Sequence, residues 1–237
     1  MEDAQDYFHW NAGVILEKDL RGGGHSPQRK IRIALFVKRG FMLTGIIPTS
    51  TTRKEVKMNQ LYTMIKHHLQ TEAVNKKVYI FDFDGTLSDG THRLHKLPTK
   101  DLHLTESWLE FNSLSKFDQP FQETIDVMNS LFASGAFIIV LTGRSDAVVE
   151  ESTQWLHDAG AKYNVLVMRQ ADDNRKDTII KEEFLRYIGL HRITAAFDDS
   201  PNVIAHFRSL GITTYQVCDY GDNVHSGLKS HGVENKK

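Results

Sequence analysis

Val78-Tyr79-Ile80-Phe81-Asp82-Phe83-Asp84-Gly85-Thr86-Leu87 opens with four β-branched or aromatic residues, then sets two carboxylates one residue apart ahead of a glycine. Such an apolar run reads as a strand covered on both faces, and Gly85 permits a sharp turn after it. Working outward, further short apolar runs occur at 137–142, 164–168, 194–198 and 213–217. Helical patterns fit between most of them. Residues 120–134 place Phe121, Ile125, Met128 and Phe132 on one face, with Pro120 suited to the first turn. Residues 146–159 carry Val148, Val149, Trp155 and Leu156 and stop at Gly160. Ser200 and Pro201 read as the N-cap and first-turn residue of a helix reaching Leu210, with Gly211 just past its end. This alternation predicts an α/β fold: a parallel sheet with right-handed crossovers and helices on its faces. Ligands in such folds bind at the carboxyl ends of the strands, where the polar residues of these runs fall.

Four strand or helix ends carry candidate chemistry. A phosphoryl group repels anionic nucleophiles, so attack by a carboxylate needs a cation to screen charge, and two nearby aspartates suit Mg2+ with oxygen ligands. Asp82 is the candidate nucleophile. Asp84, two residues on, would protonate the leaving oxygen and later activate water, which requires it to start protonated. The same pair would also serve as ordinary turn-forming aspartates. Phe137-Ile-Ile-Val-Leu-Thr142-Gly143-Arg144-Ser145 ends in a hydroxyl, a glycine and a cation before a helix, a combination able to face a phosphate, with Arg144 adding a charge-assisted contact. Arg175-Lys-Asp177-Thr-Ile-Ile-Lys181-Glu-Glu opens a helix on which Asp177 and Lys181 share a face. Lys181 would neutralise charge in a transition state, or the two would form a solvated ion pair. Thr194-Ala-Ala-Phe-Asp198-Asp199-Ser200 ends another strand in paired carboxylates, either of which could hold Mg2+ while Asp199 could instead cap a helix.

Read in order, an Asp-x-Asp-Gly-Thr strand end, a Thr-Gly, a lysine and an Asp-Asp strand end resemble the haloacid dehalogenase superfamily over residues 78–217. The resemblance implies a Rossmann-like core, and the second aspartate implies a phosphatase or phosphomutase, since dehalogenases lack it and the P-type ATPases have threonine there. Arg93, Arg144, the stretch 175–184, Phe197-Asp198-Asp199 and Gln216-Val are similar to the 3'-phosphatase domain of T-even phage polynucleotide kinase. That likeness implies functional roles for Arg93, Arg144, Asp177, Lys181 and Asp199 beside Asp82 and Asp84. It sets up a division of the site: Asp82, Asp84 and Lys181 catalytic; Arg93, Thr142, Gly143, Arg144 and Asp177 toward substrate phosphate; Asp82, Asp84, Asp198 and Asp199 toward Mg2+. The implied substrate is a nucleic-acid 3'-end or a nucleotide. Rival readings are a small-molecule phosphatase, a phosphotransferase, or a noncatalytic partner-binding protein retaining the fold.

Composition bounds the rest. The 237 residues, 40% hydrophobic, suffice for one sizeable α/β domain with a smaller appendage. A formal net charge of -1 gives no global attraction to nucleic acid, so polyanion recognition must be local. Residues 1–57 carry 10 Lys/Arg against 6 Asp/Glu, leaving 19 against 24 for the remainder, and read as a basic accessory extension. Within it, 22–28 is a loop, 31–37 a candidate strand, and Gly40 and Gly45 have phosphate-loop spacing but Ile46 and Ile47 where Lys and Ser/Thr are needed, so no kinase activity is expected. A helix over 58–70 leads into the phosphatase-like domain, 58–218, and 219–237 is a polar tail. Residues 88–119 are too long for a simple connection and read as a cap, with Trp108, Phe111 and Leu114 at helical spacing. His92 and His95 within it read as polar surface. The lone Cys218 fits a reducing compartment and reads as a buried spectator. With no apolar segment near the roughly 20 residues of a membrane span, the expectation is a cytoplasmic protein with no membrane partner.

Overall fold

The computed structural model describes residues 53–218, with side chains from residue 60 onward. The candidate strand at 31–37, the phosphate-loop-like glycines, most of the basic extension and the polar tail lie outside the described residues. The leading helix α1 (Arg53–Gln70) starts ahead of the expected Met58 and buries Tyr62, Ile65 and Leu69.

β1 (Val78–Phe81) follows, then a long insertion opened by β2 (Ser88–Asp89), containing α2 (Leu109–Ser113) and closed by β3 (Gln119–Pro120). The core continues as α3 (Gln122–Ala133), β4 (Phe137–Ser145), α4 (Val149–Asp158), β5 (Val165–Arg169), α5 (Asp177–Ile188), β6 (Ile193–Asp198), α6 (Pro201–Ser209) and β7 (Thr214–Gln216). β1, β4, β5, β6 and β7 form one sheet in the order β5-β4-β1-β6-β7, and every pairing is parallel. The chain steps outward from β1 to β4 and β5, then crosses back to β6 on the other side. β1 is therefore the point at which the winding reverses, the place where open α/β sheets bind ligands.

Both faces of the central strands β1 and β4 are covered, which is why they read as continuous apolar runs, whereas the edge strand β7 is largely exposed. Val78, Ile80, Phe137, Ile139 and Leu141 pack with α1, α5 and α6, while Phe81, Ile138 and Val140 pack with α3 and α4 through Ile125, Met128, Trp155 and Leu156. Full burial of each large side chain contributes about 1.5–3 kcal/mol. The alternation along β1 and β4 divides these contributions between two cores.

The insertion after β1 is a cap on a stem. Ser88 pairs with Pro120 and Asp89 with Gln119 as two short antiparallel strands. Pro120 thus belongs to the stem and not to the first turn of α3, which begins at Gln122. Trp108, Phe111 and Leu114 do not share one helix: they fall in a 3-10 turn (Thr105–Trp108), in α2 and in a second 3-10 turn (Leu114–Phe117). Pro201 does open α6, but the Ser200 hydroxyl makes no capping bond, and the Asp198 carboxylate accepts the Ser200 N–H instead, at 2.9 Å. Cys218 is half-buried, not fully enclosed. Among the described residues no helix is long and apolar enough to cross a membrane.

Candidate active site

Asp82 stands one residue past β1, and its N–H still donates to the Phe197 carbonyl at 2.9 Å, so the β1–β6 ladder fixes its backbone. β6 ends alongside at Asp198, followed by Asp199. One carboxylate oxygen from each of Asp82, Asp198 and Asp199 lies within 4.8 Å of the others, and all three residues are buried. The turn after β1 makes this approach possible. Gly85 has a φ of +78°, and a Cβ there would overlap the Asp199 carboxylate.

Lys181 projects from α5 into this acidic cluster. Its ammonium lies 2.9 Å from Asp82 Oδ1, 3.1 Å from Asp198 Oδ2 and 3.2 Å from Asp177 Oδ2, and the side chain is almost wholly buried. Burial alone would lower its pKa, but Asp177, Asp198 and Asp82 reverse that and hold it well above its ordinary value. One ammonium does not offset this many carboxylates. Burial pushes Asp82 and Asp198 up, against the pull of Lys181, and burial beside Asp198 pushes Asp199 up to about 8. An all-oxygen, anionic, under-neutralised cluster is the donor set that a hard divalent cation such as Mg2+ takes. The residues therefore fit such an ion.

Asp84 belongs to a different network. Its carboxylate receives Arg93, and Arg144 reaches it with Nε at 3.1 Å and a second guanidinium nitrogen at 2.5 Å. Burial would raise its pKa, yet the Arg144 and Arg93 charges outweigh burial and hold it well below the usual carboxylate range. Two expectations change as a result. Asp84 is absent from the carboxylate cluster suited to a cation, and in this arrangement its carboxyl is held ionised, not protonated. Arg93 and Arg144 do not present open guanidiniums to a phosphate either. Both are fully enclosed, with Arg93 stacked 4.0 Å from the Phe111 ring and Arg144 3.8 Å from the Phe83 ring.

Asp118, at the end of the cap, was not legible as a site residue. Fully buried, it accepts Arg93 through Nε at 2.8 Å and a terminal nitrogen at 2.7 Å, and His92 Nε2 lies 2.9 Å from it. His92 is thus tied into the cap's charge network, whereas His95 Nδ1 lies 3.1 Å from the His92 carbonyl. Arg169 was missed too, although a charged residue closing the apolar run of β5 is the signal that marked the other strands.

The remaining expected residues lie at the end of β4 and the start of α5. The Thr142 hydroxyl accepts the Arg144 N–H at 3.1 Å, which leaves its own proton to donate. Gly143 passes so close to Asp177 that a Cβ on it would overlap the carboxylate. Asp177, at the first position of α5, is bonded on one oxygen by Arg169 at 3.3 Å and faces Lys181 with the other. It therefore orients Lys181 from behind, where the i,i+4 spacing puts it.

The model of the polynucleotide kinase PNKP phosphatase domain matches residues 76–222, which include every residue of the site. A protein of Autographa californica nuclear polyhedrosis virus, named as a bifunctional polynucleotide kinase/RNA ligase, is 26% identical over 176 residues, 72% of this chain and 24% of its own length. A chain in the structure of the Pnkp1/Rnl/Hen1 complex is 31% identical, with a TM-score of 0.50, over 63% of this chain and 47% of that one. A second structure of the Pnkp1/Rnl/Hen1 RNA repair complex matches at 28% identity and a TM-score of 0.48, over 62% and 43%. The chain spans less than half the length of these relatives. With its parallel sheet, its capped site and a family match over more than half its length, the chain belongs to the PNKP phosphatase-domain family of haloacid dehalogenase-like phosphoric monoester hydrolases.

Proposed function

We propose that the chain removes a terminal phosphate from a polynucleotide 3'-end by nucleophilic attack from Asp82. The observation that carries this reading is the convergence on Asp82 of the Lys181 ammonium and two further carboxylates at the winding reversal of the sheet. Asp82 Oδ attacks phosphorus, the bond to the 3'-oxygen breaks with that oxygen taking a proton from solvent, and an aspartyl-phosphate forms; water then attacks the same phosphorus and releases inorganic phosphate and free Asp82. Mg2+ held by Asp82, Asp198 and Asp199 would screen the negative charge of the transferring group during attack. Lys181 stabilises charge on the same group, held to its task by Asp177. Thr142 and Gly143 offer a hydroxyl proton and an N–H at the end of β4. Asp84, ionised between two guanidiniums, is placed to accept a hydrogen bond from the attacking water and so orient it. Arg93 and Arg144 act through Asp84, keeping its carboxylate fixed over the site.

A polynucleotide is favoured over a free nucleotide because the viral relative is named for a polynucleotide kinase and an RNA ligase. The cap, residues 88–119, is the part of the domain in which specificity would reside, and the basic extension 1–57 is an accessory segment without an assigned role. Purified chain with Mg2+ would be given a 3'-phosphorylated oligonucleotide, a 3'-nucleotide and a generic phosphoester in parallel. Preferential release of phosphate from the oligonucleotide is expected. Hydrolysis of the small esters alone would keep the chemistry and discard the polynucleotide; transfer of phosphate to an added alcohol in place of water would make the chain a phosphotransferase.

A further inference from the structure

We infer that Arg169 is a positioning residue for catalysis, a buried guanidinium that sets the Gly143 turn and the Asp177–Lys181 pair and ties both to the closed cap. The inference rests on the proposed roles of Gly143, Asp177 and Lys181. Arg169 closes β5 and is fully enclosed, so it touches no substrate. Its Nε donates to the Gly143 carbonyl at 2.9 Å, one terminal nitrogen donates to the Asp173 and Arg175 carbonyls at 3.1 and 2.6 Å, and the other reaches Asp177 Oδ1 at 3.3 Å. These partners are of three kinds. Gly143 is the turn at the end of β4, Asp177 steers the Lys181 ammonium, and Asp173 and Arg175 belong to the loop before α5.

That loop is also where the cap is fastened. The Thr105 hydroxyl donates to the Asp173 carbonyl at 2.6 Å, the same oxygen that Arg169 holds, and the Thr105 N–H donates to Asn174 Oδ1 at 2.8 Å. A planar fork of five donors in fixed directions satisfies such a set of divergent acceptors, and an ammonium does not. Any shift of Arg169 therefore moves the turn, the lysine's partner and the cap anchor together. Because these groups align reacting atoms, a displacement near 1 Å costs up to about a hundredfold in rate.

The test compares wild type, Arg169→Lys, Arg169→Gln and Asp82→Asn with Mg2+ and a 3'-phosphorylated oligonucleotide. kcat and KM are expressed per folded molecule, with folding read from near-UV circular dichroism. Arg169→Lys is expected to lose about tenfold or more in kcat with KM within about threefold, since chemistry is misaligned and binding is not. Arg169→Gln is expected to lose at least as much. A kcat within twofold of wild type in both variants would overturn the inference, as would a loss accounted for by the unfolded fraction. Failure of both variants to fold would assign Arg169 to folding alone and overturn it as well. Wild-type turnover abolished by Asp82→Asn shows that the underlying reading stands in each of those cases. Turnover unaffected by Asp82→Asn would remove that reading, and the inference with it.

Discussion

Replacing Lys181 by methionine removes one buried charge and leaves its carboxylate partners in place. Nζ lies 2.9 Å from Asp82, 3.1 Å from Asp198 and 3.2 Å from Asp177, all largely shielded from water. A unit-charge pair at 4 Å and an effective dielectric constant of 20 is worth about 4 kcal/mol, and these pairs are closer. The whole sum will not appear as lost stability, because uncompensated carboxylates take up protons instead. Breaking a buried pair from one side costs about 3–5 kcal/mol, and that is the expected destabilisation at pH 8 in metal-free urea unfolding. The sign with pH follows from Asp82 and Asp198, whose pKa values burial already raises and the loss of the ammonium would raise further. Below those raised values the folded state carries neutral carboxyls, so the cost of the substitution shrinks as pH falls from 8 toward 5. In the Mg2+-supplemented reaction, kcat should fall by about 10²–10³, the usual cost of removing one preorganised electrostatic contact. Stability unchanged at pH 8 would refute the claim that Lys181 neutralises this cluster. A destabilised variant that kept kcat within tenfold would make the lysine structural only.

Three further outcomes follow from the same contacts. Arg93→Gln removes both guanidinium bonds from the fully buried Asp118, leaving it His92 at 2.9 Å and Arg144 at 3.7 Å, and should cost about 3–5 kcal/mol in denaturant unfolding; a loss below 1 kcal/mol would mean that those two remaining groups neutralise it. Gly143→Ala drives a methyl group into the Asp177 carboxylate, and should lower kcat by about tenfold or more through displacement of the Lys181 partner, a result that wild-type kinetics in the variant would contradict. Mg2+ should raise the thermal midpoint more at pH 8 than at pH 6. Asp199, pushed up to about 8, and the raised Asp82 and Asp198 must shed protons before they bind a cation. An equal or larger shift at pH 6 would remove these carboxylates from the metal site.

The central elements were legible in the sequence because β1 and β4 are covered on both faces and so read as unbroken apolar runs, Val78–Phe81 and the start of Phe137–Ser145. Strand ends were legible for the same reason, since a carboxylate or Thr-Gly closing such a run cannot be packing. What those ends contact was not. Arg93 and Asp118 are 25 residues apart, Arg144 and Asp84 60, and Lys181 and Asp82 99, so no local spacing announces that the two arginines hold Asp84 and ionise it. The cap was misread in detail because its apolar residues match helical spacing while its backbone runs through short 3-10 turns, held by contacts such as the Trp108 and Phe111 rings 6.1 Å apart. Pro120 has the local preferences of a helix start and was claimed by pairing with Ser88 across the stem.

The central claim is that Asp82 becomes covalently phosphorylated. A single-turnover reaction with an oligonucleotide carrying a radiolabelled 3'-phosphate, quenched in acid within the first turnover, should leave label on the protein. The labelled peptide should contain Asp82, and reduction of the acyl-phosphate should convert residue 82 alone to homoserine. Complete turnover with no label on the protein at any quench time, or label on a peptide lacking Asp82, would contradict the account.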